Sequence, residues 1–265
     1  MKNFLITGIS RGLGCEIARE ILLNGDAVYG ISRTLSDEAK ELARDFPERL
    51  KLRLYDLSDT DGILKCVFKE FIGLKTPIHG YVNNAAIAYD DIATNMQMPR
   101  LENMYKVNVF APMIMTKYAI RNFILHHAKG SIVHISSISA HTGYKGLSMY
   151  ASTKGAMEAF SKNIAREWGG KGIRSNAVVA GFNVNERVAH SGTEIQNFQP
   201  HIAEIADKLE IRRGNRGISP VRICGIHHGA EYFCRLRHDI GNGKYSRLQN
   251  GGFVRIRLDK ICRIV

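Results

Sequence analysis

Tyr150 and Lys154 stand four residues apart in a stretch of helical period, so both side chains leave the same face of one helix. A phenol beside an ammonium is a proton-handling pair, because the positive charge favours the phenolate and lets one oxygen give and take a proton near neutral pH. In a chain with ten Tyr, that spacing arises easily by chance, and the pair gains force from its company. Ser137 ends an apolar run upstream, where its hydroxyl can hold a carbonyl oxygen, and Asn108 lies within the preceding helical stretch. His134 and His141 flank Ser137, one in the run and one beyond it, and neither is the expected base. The set suits hydride transfer between a carrier and a carbonyl/alcohol pair.

Thr7 to Gly14, TGISRGLG, offers a place for such a carrier. The run follows the apolar stretch Asn3 to Ile6 and precedes a helical one. Gly8, Gly12 and Gly14 let the chain turn tightly and let backbone N–H groups approach a pyrophosphate without Cβ interference, while the next helix presents its positive dipole end. Ser10, Arg11 and Leu13 complete the candidate loop. At the end of the second strand, where a carboxylate would grip the ribose 2′-hydroxyl of NAD, this chain has Ser32-Arg33. Arg33 with Arg11 complements a 2′-phosphate instead, so NADP(H) is expected ahead of NAD. The plainer alternative makes both arginines solvated surface charges. Asp56, with Leu57 beside it, can accept from the adenine amino group. Asn84 and Ala85, within Asn83-Asn84-Ala85-Ala86, put small residues where a cofactor lies close, unless the Asn pair is an ordinary Asx turn. Gly181 is the last candidate contact.

The elements that position these residues follow from the alternation of apolar runs with helical stretches, which signals βαβ units and a parallel sheet. Strands are expected at Asn3 to Thr7, Ala27 to Ser32, Leu50 to Tyr55, Ile78 to Asn83, Ser131 to Ser136 and Arg174 to Ala180. A first helix runs from Gly12 to Leu23 and stops at Asn24-Gly25. Another starts at Ser36, whose hydroxyl caps it, with Asp37 and Glu38 in its first turn. Longer helices are expected at about Leu101 to His127 and Met149 to Trp168, and a short amphipathic one at His201 to Leu209. A half-exposed closing strand fits Phe253 to Ile256. The fold class is therefore α/β, a Rossmann-like doubly wound parallel sheet with helices on both faces.

TGISRGLG, NNAA, Asn108, Ser137 and Tyr150-Ala-Ser-Thr-Lys154, in this order, resemble the short-chain dehydrogenase/reductase family over about residues 1 to 182. The resemblance implies that Tyr150 is the general acid/base and that Lys154 binds the nicotinamide ribose and depresses the Tyr150 pKa. It further implies that Ser137 orients the substrate carbonyl and that Asn108 supports a proton relay through water. It carries a seven-stranded sheet and assembly as homodimers or homotetramers through the helices bearing Asn108 and Tyr150. Arg11 and Arg33 resemble the NADP(H)-dependent 3-oxoacyl-carrier-protein reductases and related carbonyl reductases. The chain departs from the family at Ala86 (usually Gly), at Ala180 (Pro of a Pro-Gly pair) and at Asn185 (commonly Thr). Gly251-Gly252-Phe253 is a faint echo of its Asp-Gly-Gly ending.

The 265 residues, 45% hydrophobic, suffice for one large α/β domain over residues 1 to 265, with 183 to 265 divergent. No run of about 18 apolar residues occurs, which argues against a membrane span. Five cysteines at irregular spacing read as free thiols in a reducing, cytoplasmic setting. The net charge of +12 is concentrated late, where residues 183 to 265 carry 14 Lys+Arg against 8 Asp+Glu. That shift marks either a reading frame different from that of relatives or a divergent substrate region. It also supports a rival reading, nucleic-acid binding through Arg212, Arg213, Arg216 and Arg222, although no recognition motif accompanies them. A second rival keeps NADP(H) without turnover. Cys224, His227, His228, Cys234 and His238 have ligand types for zinc but short spacing, so no metal is expected.

Overall fold

Phe4, Leu5 and Ile6 have no exposed surface, as a strand covered on both faces of a parallel sheet requires. They form the middle of β1 (Asn3–Thr7), which pairs in parallel with both β2 (Ala27–Ser32) and β4 (Gly80–Asn83). With β3 (Leu50–Leu54), β5 (Ser131–Ser137) and β6 (Arg174–Ala180), the six strands form one sheet in the order β3-β2-β1-β4-β5-β6. This computed structural model describes residues 1–181 and 199–209, all within one compact unit, Met1–Gly225. The closing strand expected at Phe253 to Ile256 and the basic, Cys- and His-rich cluster residues lie outside the described residues.

The six expected strands are those observed, with small changes at their ends. Strand order reverses direction at β1, since β2 and β3 lie to one side of it and β4 to β6 to the other. Such a switch point leaves a crevice at the carboxyl ends of β1 and β4, where ligands of open α/β sheets bind.

Helices cover both faces. On one face α1 (Gly12–Leu23) and α6 (Gln199–Leu209) pack through Ile17, Ile21, Ile205 and Leu209 against Phe4, Ile6, Val133 and Ile135. Beside α1, α2 (Asp37–Asp45) starts at Ser36, whose hydroxyl accepts from Ala39 N at 3.2 Å, the cap its sequence predicts. On the other face, Leu5, Tyr81 and Ile132 pack against a π-type helix, Ile63–Ile72, and against α4 (Ala111–Leu125) and α5 (Ser148–Trp168). Trp168 packs at the rim of this core.

The single helix expected at Leu101 to His127 is broken in a way that matters for the site. It begins as α3 (Met98–Tyr105), widens into a π-type turn at Lys106–Phe110, and resumes as α4. Pro112 explains the widening. It has no N–H to return to the Asn108 carbonyl four residues back, and at this turn Ala111 N donates to Lys106 O instead.

Among the described residues no helix is long and apolar enough to cross a membrane, and no group of His, Cys, Asp and Glu could hold a metal. Cys15 and Cys66 are free thiols.

Candidate active site

Gly8 and Gly12 have φ of 73° and 60°, the left-handed region that glycine enters without penalty, and they fold the β1–α1 loop back on itself. The cradle they make has no room to spare. A Cβ on Gly14 would sit 2.2 Å from Gly8 O, and one on Gly8 would sit 2.8 Å from Ala85 Cα.

The loop is tied down from both neighbouring strands. From β4, Asn84 Nδ2 donates to Thr7 O at 3.2 Å and to Gly8 O at 3.0 Å, while Asn84 N and Ala85 N both donate to Thr7 Oγ1 at 3.2 Å. From β2, Ile31 O accepts from Gly8 N at 2.8 Å, and from the start of α2, Ser36 N donates to Ser10 Oγ at 2.9 Å. The Asn84 side chain is thus more than an Asx turn, since it buttresses the glycine loop. Thr7 and Ser36 are not among the expected site residues; the Thr7 hydroxyl accepts across 77 residues of sequence and the Ser36 hydroxyl donates to Ser10 O across 26, pairings that no local pattern displays.

Above this loop lies a cleft of about 1120 Å³, at the switch point of the sheet. It brings together Gly8, Ser10, Arg11, Gly12, Leu13, Gly14, Arg33, Asp56, Leu57, Asn84, Ala85 and Tyr150. Ser32, Thr34, Ser36, Tyr55, Ile87 and Val107 also line it. Arg11 and Arg33 are exposed at its wall. The Asp56 carboxylate caps its own turn by accepting from Ser58 N at 2.9 Å. Ser137, Asn108, Lys154 and Gly181 do not line the cleft. Gly181 directly follows β6.

Tyr150 enters from the first turn of α5. Lys154, 6% exposed, sends Nζ to Ile135 O at 2.8 Å and lies 5.5 Å from the centroid of the Tyr150 ring. Burial pushes the lysine down to about 8 and pushes the Tyr150 phenol up. This corrects the expectation that Lys154 depresses the Tyr150 pKa. The ammonium stands over the ring and is engaged by a backbone carbonyl, so desolvation dominates at the phenol. Tyr150 therefore keeps its proton at neutral pH. Ser137, at the tip of β5, accepts from Ser139 N at 3.2 Å and from Ser139 Oγ at 3.0 Å.

Asn108 is buried and acts as a clamp. Its Oδ1 accepts from Ile87 N at 2.9 Å, and its Nδ2 donates to Ile87 O at 2.8 Å and to Thr153 Oγ1 at 3.2 Å. Both amide hydrogens are engaged, and they join the segment after β4 to α5 beside Lys154. His134 is fully buried between Tyr81 and Phe160, and burial, then the Lys154 charge, pushes it down to about 3.

The sequence pattern of the short chain dehydrogenases matches residues 2–194. The chain belongs to the short chain dehydrogenase family. It is 35% identical over 181 residues to a 3-oxoacyl-[acyl-carrier-protein] reductase from Buchnera aphidicola, covering 68% of this chain and 73% of that protein. It is 30% identical over 174 residues to carbonyl reductase [NADPH] 2 from Sus scrofa, covering 66% and 68%. A gluconate 5-dehydrogenase from Burkholderia cenocepacia, solved with NADP and tartrate, shares the fold with a TM-score of 0.63 at 24% identity, covering 71% of this chain and 76% of that one. As a short chain dehydrogenase, the chain is an oxidoreductase of the nicotinamide-nucleotide-dependent kind.

Proposed function

We propose that this short chain dehydrogenase reduces a carbonyl to a secondary alcohol with NADPH, and runs the reverse reaction with NADP⁺. The observation that carries the reading is the cleft itself, in which a glycine cradle that a single Cβ would fill, two arginines and Tyr150 line one cavity. Gly8, Gly12 and Gly14, with the backbone N–H groups opening α1, suit a pyrophosphate. Arg11 and Arg33 suit a 2′-phosphate, and no carboxylate stands at position 32 or 33 to favour a free ribose hydroxyl. Asp56, Leu57, Asn84 and Ala85 suit the nucleoside ends. When bound, the nicotinamide supplies the hydride.

The chain's own residues handle orientation and the proton. Ser137 Oγ donates to the substrate carbonyl oxygen and fixes its direction. Tyr150 Oη, protonated in its buried setting, gives its proton to the same oxygen as the alcohol forms. Lys154, buried 5.5 Å from the ring centroid, suits the nicotinamide ribose, and Asn108 holds α5 and the segment after β4 in register. Assembly as a dimer or tetramer belongs to the same reading; Phe110, 50% exposed beside Tyr105, lies on the helices expected at such an interface.

The test is a titration of the purified chain with NADPH and NADH, followed by a panel of carbonyl substrates. We expect tighter binding of NADPH, loss of that preference in Arg33→Ala, and oxidation of NADPH with at least one carbonyl. Binding without oxidation across the panel would overturn the catalytic part and leave a nucleotide-binding protein; equal affinities would overturn the 2′-phosphate assignment.

A further inference from the structure

Tyr150, Lys154 and Glu158 follow one another at four-residue intervals along α5 and share one face. Two of them reach back to the end of β5. Lys154 Nζ donates to Ile135 O, and Glu158 Oε1 accepts from Ser136 Oγ at 2.5 Å. The same Glu158 oxygen meets His141 Nε2 at 2.9 Å. Glu158 is 9% exposed and Ser136 2%, so the carboxylate sits where it is tolerated only because it is hydrogen-bonded.

These two partners bracket the segment that carries Ser137. Ser136 precedes it in the strand, and His141 follows the short helical turn Ile138–Ala140. Neighbouring strand residues point to opposite faces, so fixing Ser136 onto α5 also fixes the direction in which Ser137 leaves the strand. Glu158 lies outside the cleft wall, and any influence on the reaction passes through that segment.

We propose that Glu158 is a positioning residue for Ser137. By gripping Ser136 and His141 with one carboxylate oxygen, it sets the Ser137 hydroxyl against Tyr150, which rides on the same helix. The proposal rests on the catalytic reading of Ser137 and Tyr150. A misplacement of about 1 Å can cost on the order of a hundredfold in rate, so a partial loss of the grip is expected to be visible in kcat.

The test compares wild type, Glu158→Ala, Glu158→Gln and His141→Ala by NADPH binding, by kcat and KM for a carbonyl substrate, and by amide hydrogen exchange over residues 137–144. For Glu158→Ala we expect kcat to fall about tenfold or more, the NADPH Kd to stay within about twofold, and exchange in 137–144 to rise. Glu158→Gln, whose amide oxygen still accepts both hydrogen bonds, recovers most of the rate. Unchanged exchange or unchanged kcat in Glu158→Ala overturns the proposal, as does a Gln variant no better than Ala. If Glu158→Ala does not fold, the exposed His141→Ala carries the same comparison, with a smaller effect of the same sign expected and no effect overturning it. A wild type that binds NADPH but reduces no carbonyl removes the catalytic reading alone, and the exchange data still decide whether Glu158 holds the segment.

Discussion

Tyr150 and His134 sit close to the same buried lysine, and burial acts on each of them in a way that can be measured. For Tyr150 the phenol keeps its proton, so Tyr150→Phe removes the proton donor without touching the cradle. Turnover should fall by at least about a hundredfold, with the nucleotide affinity nearly unchanged, as steady-state rates and a binding titration would show. For His134 the consequence concerns stability. Its folded pKa, about 3 against 6.5 unfolded, means that the unfolded chain binds the extra proton between those values. Stability from this residue is complete above pH 6.5 and is lost as pH falls toward 3, by on the order of several kcal/mol in total. Denaturation at a series of pH values should show that slope, and His134→Asn, which never charges, should flatten it. Tyr150, Lys154, Ser137 and Asn108 were all legible as candidates from residue type and spacing. What spacing could not show was the balance of forces on the phenol, because desolvation depends on neighbours such as Tyr89 and Met104 that are distant in sequence.

At the scale of elements, the β1–α1 turn is where the sequence spoke most clearly. Its glycine spacing, the start of α1 at Gly12 and the Ser36 cap of α2 all reflect local backbone chemistry and emerge as expected. The tightest approach in the turn is at Gly14, where Gly14→Ala drives a methyl into Gly8 O. That variant should lose about 1 to 3 kcal/mol in denaturant unfolding and, more tellingly, its nucleotide binding. The π-type turn at Lys106–Phe110 was not legible in the same way. Periodicity averages over several turns and cannot register one extra residue, although Pro112, four positions after Asn108, was the available sign. At Ile63–Ile72, where the structure has a π-type helix, no element is named from the sequence.

For the whole molecule, the parallel sheet was readable because each strand is a short apolar run between turn residues, and because both faces of the central strands are covered. Strand order, β3-β2-β1-β4-β5-β6, is known from the structure alone, since alternating runs do not say which strands pair. Of the late region past residue 182, where the family likeness fades, only 199–209 are among the described residues. The cradle is closed by Asn84 and Ala85 meeting Thr7, groups 77 and 78 positions apart. Closing so long a loop is slow and comes with global docking of β4 on β1. A growing polypeptide that has only its first few dozen residues free therefore holds the glycine signature without the receptor it announces. Dinucleotide added during refolding should leave the folding rate as it is and slow the reverse step, which stopped-flow traces with and without NADPH would resolve.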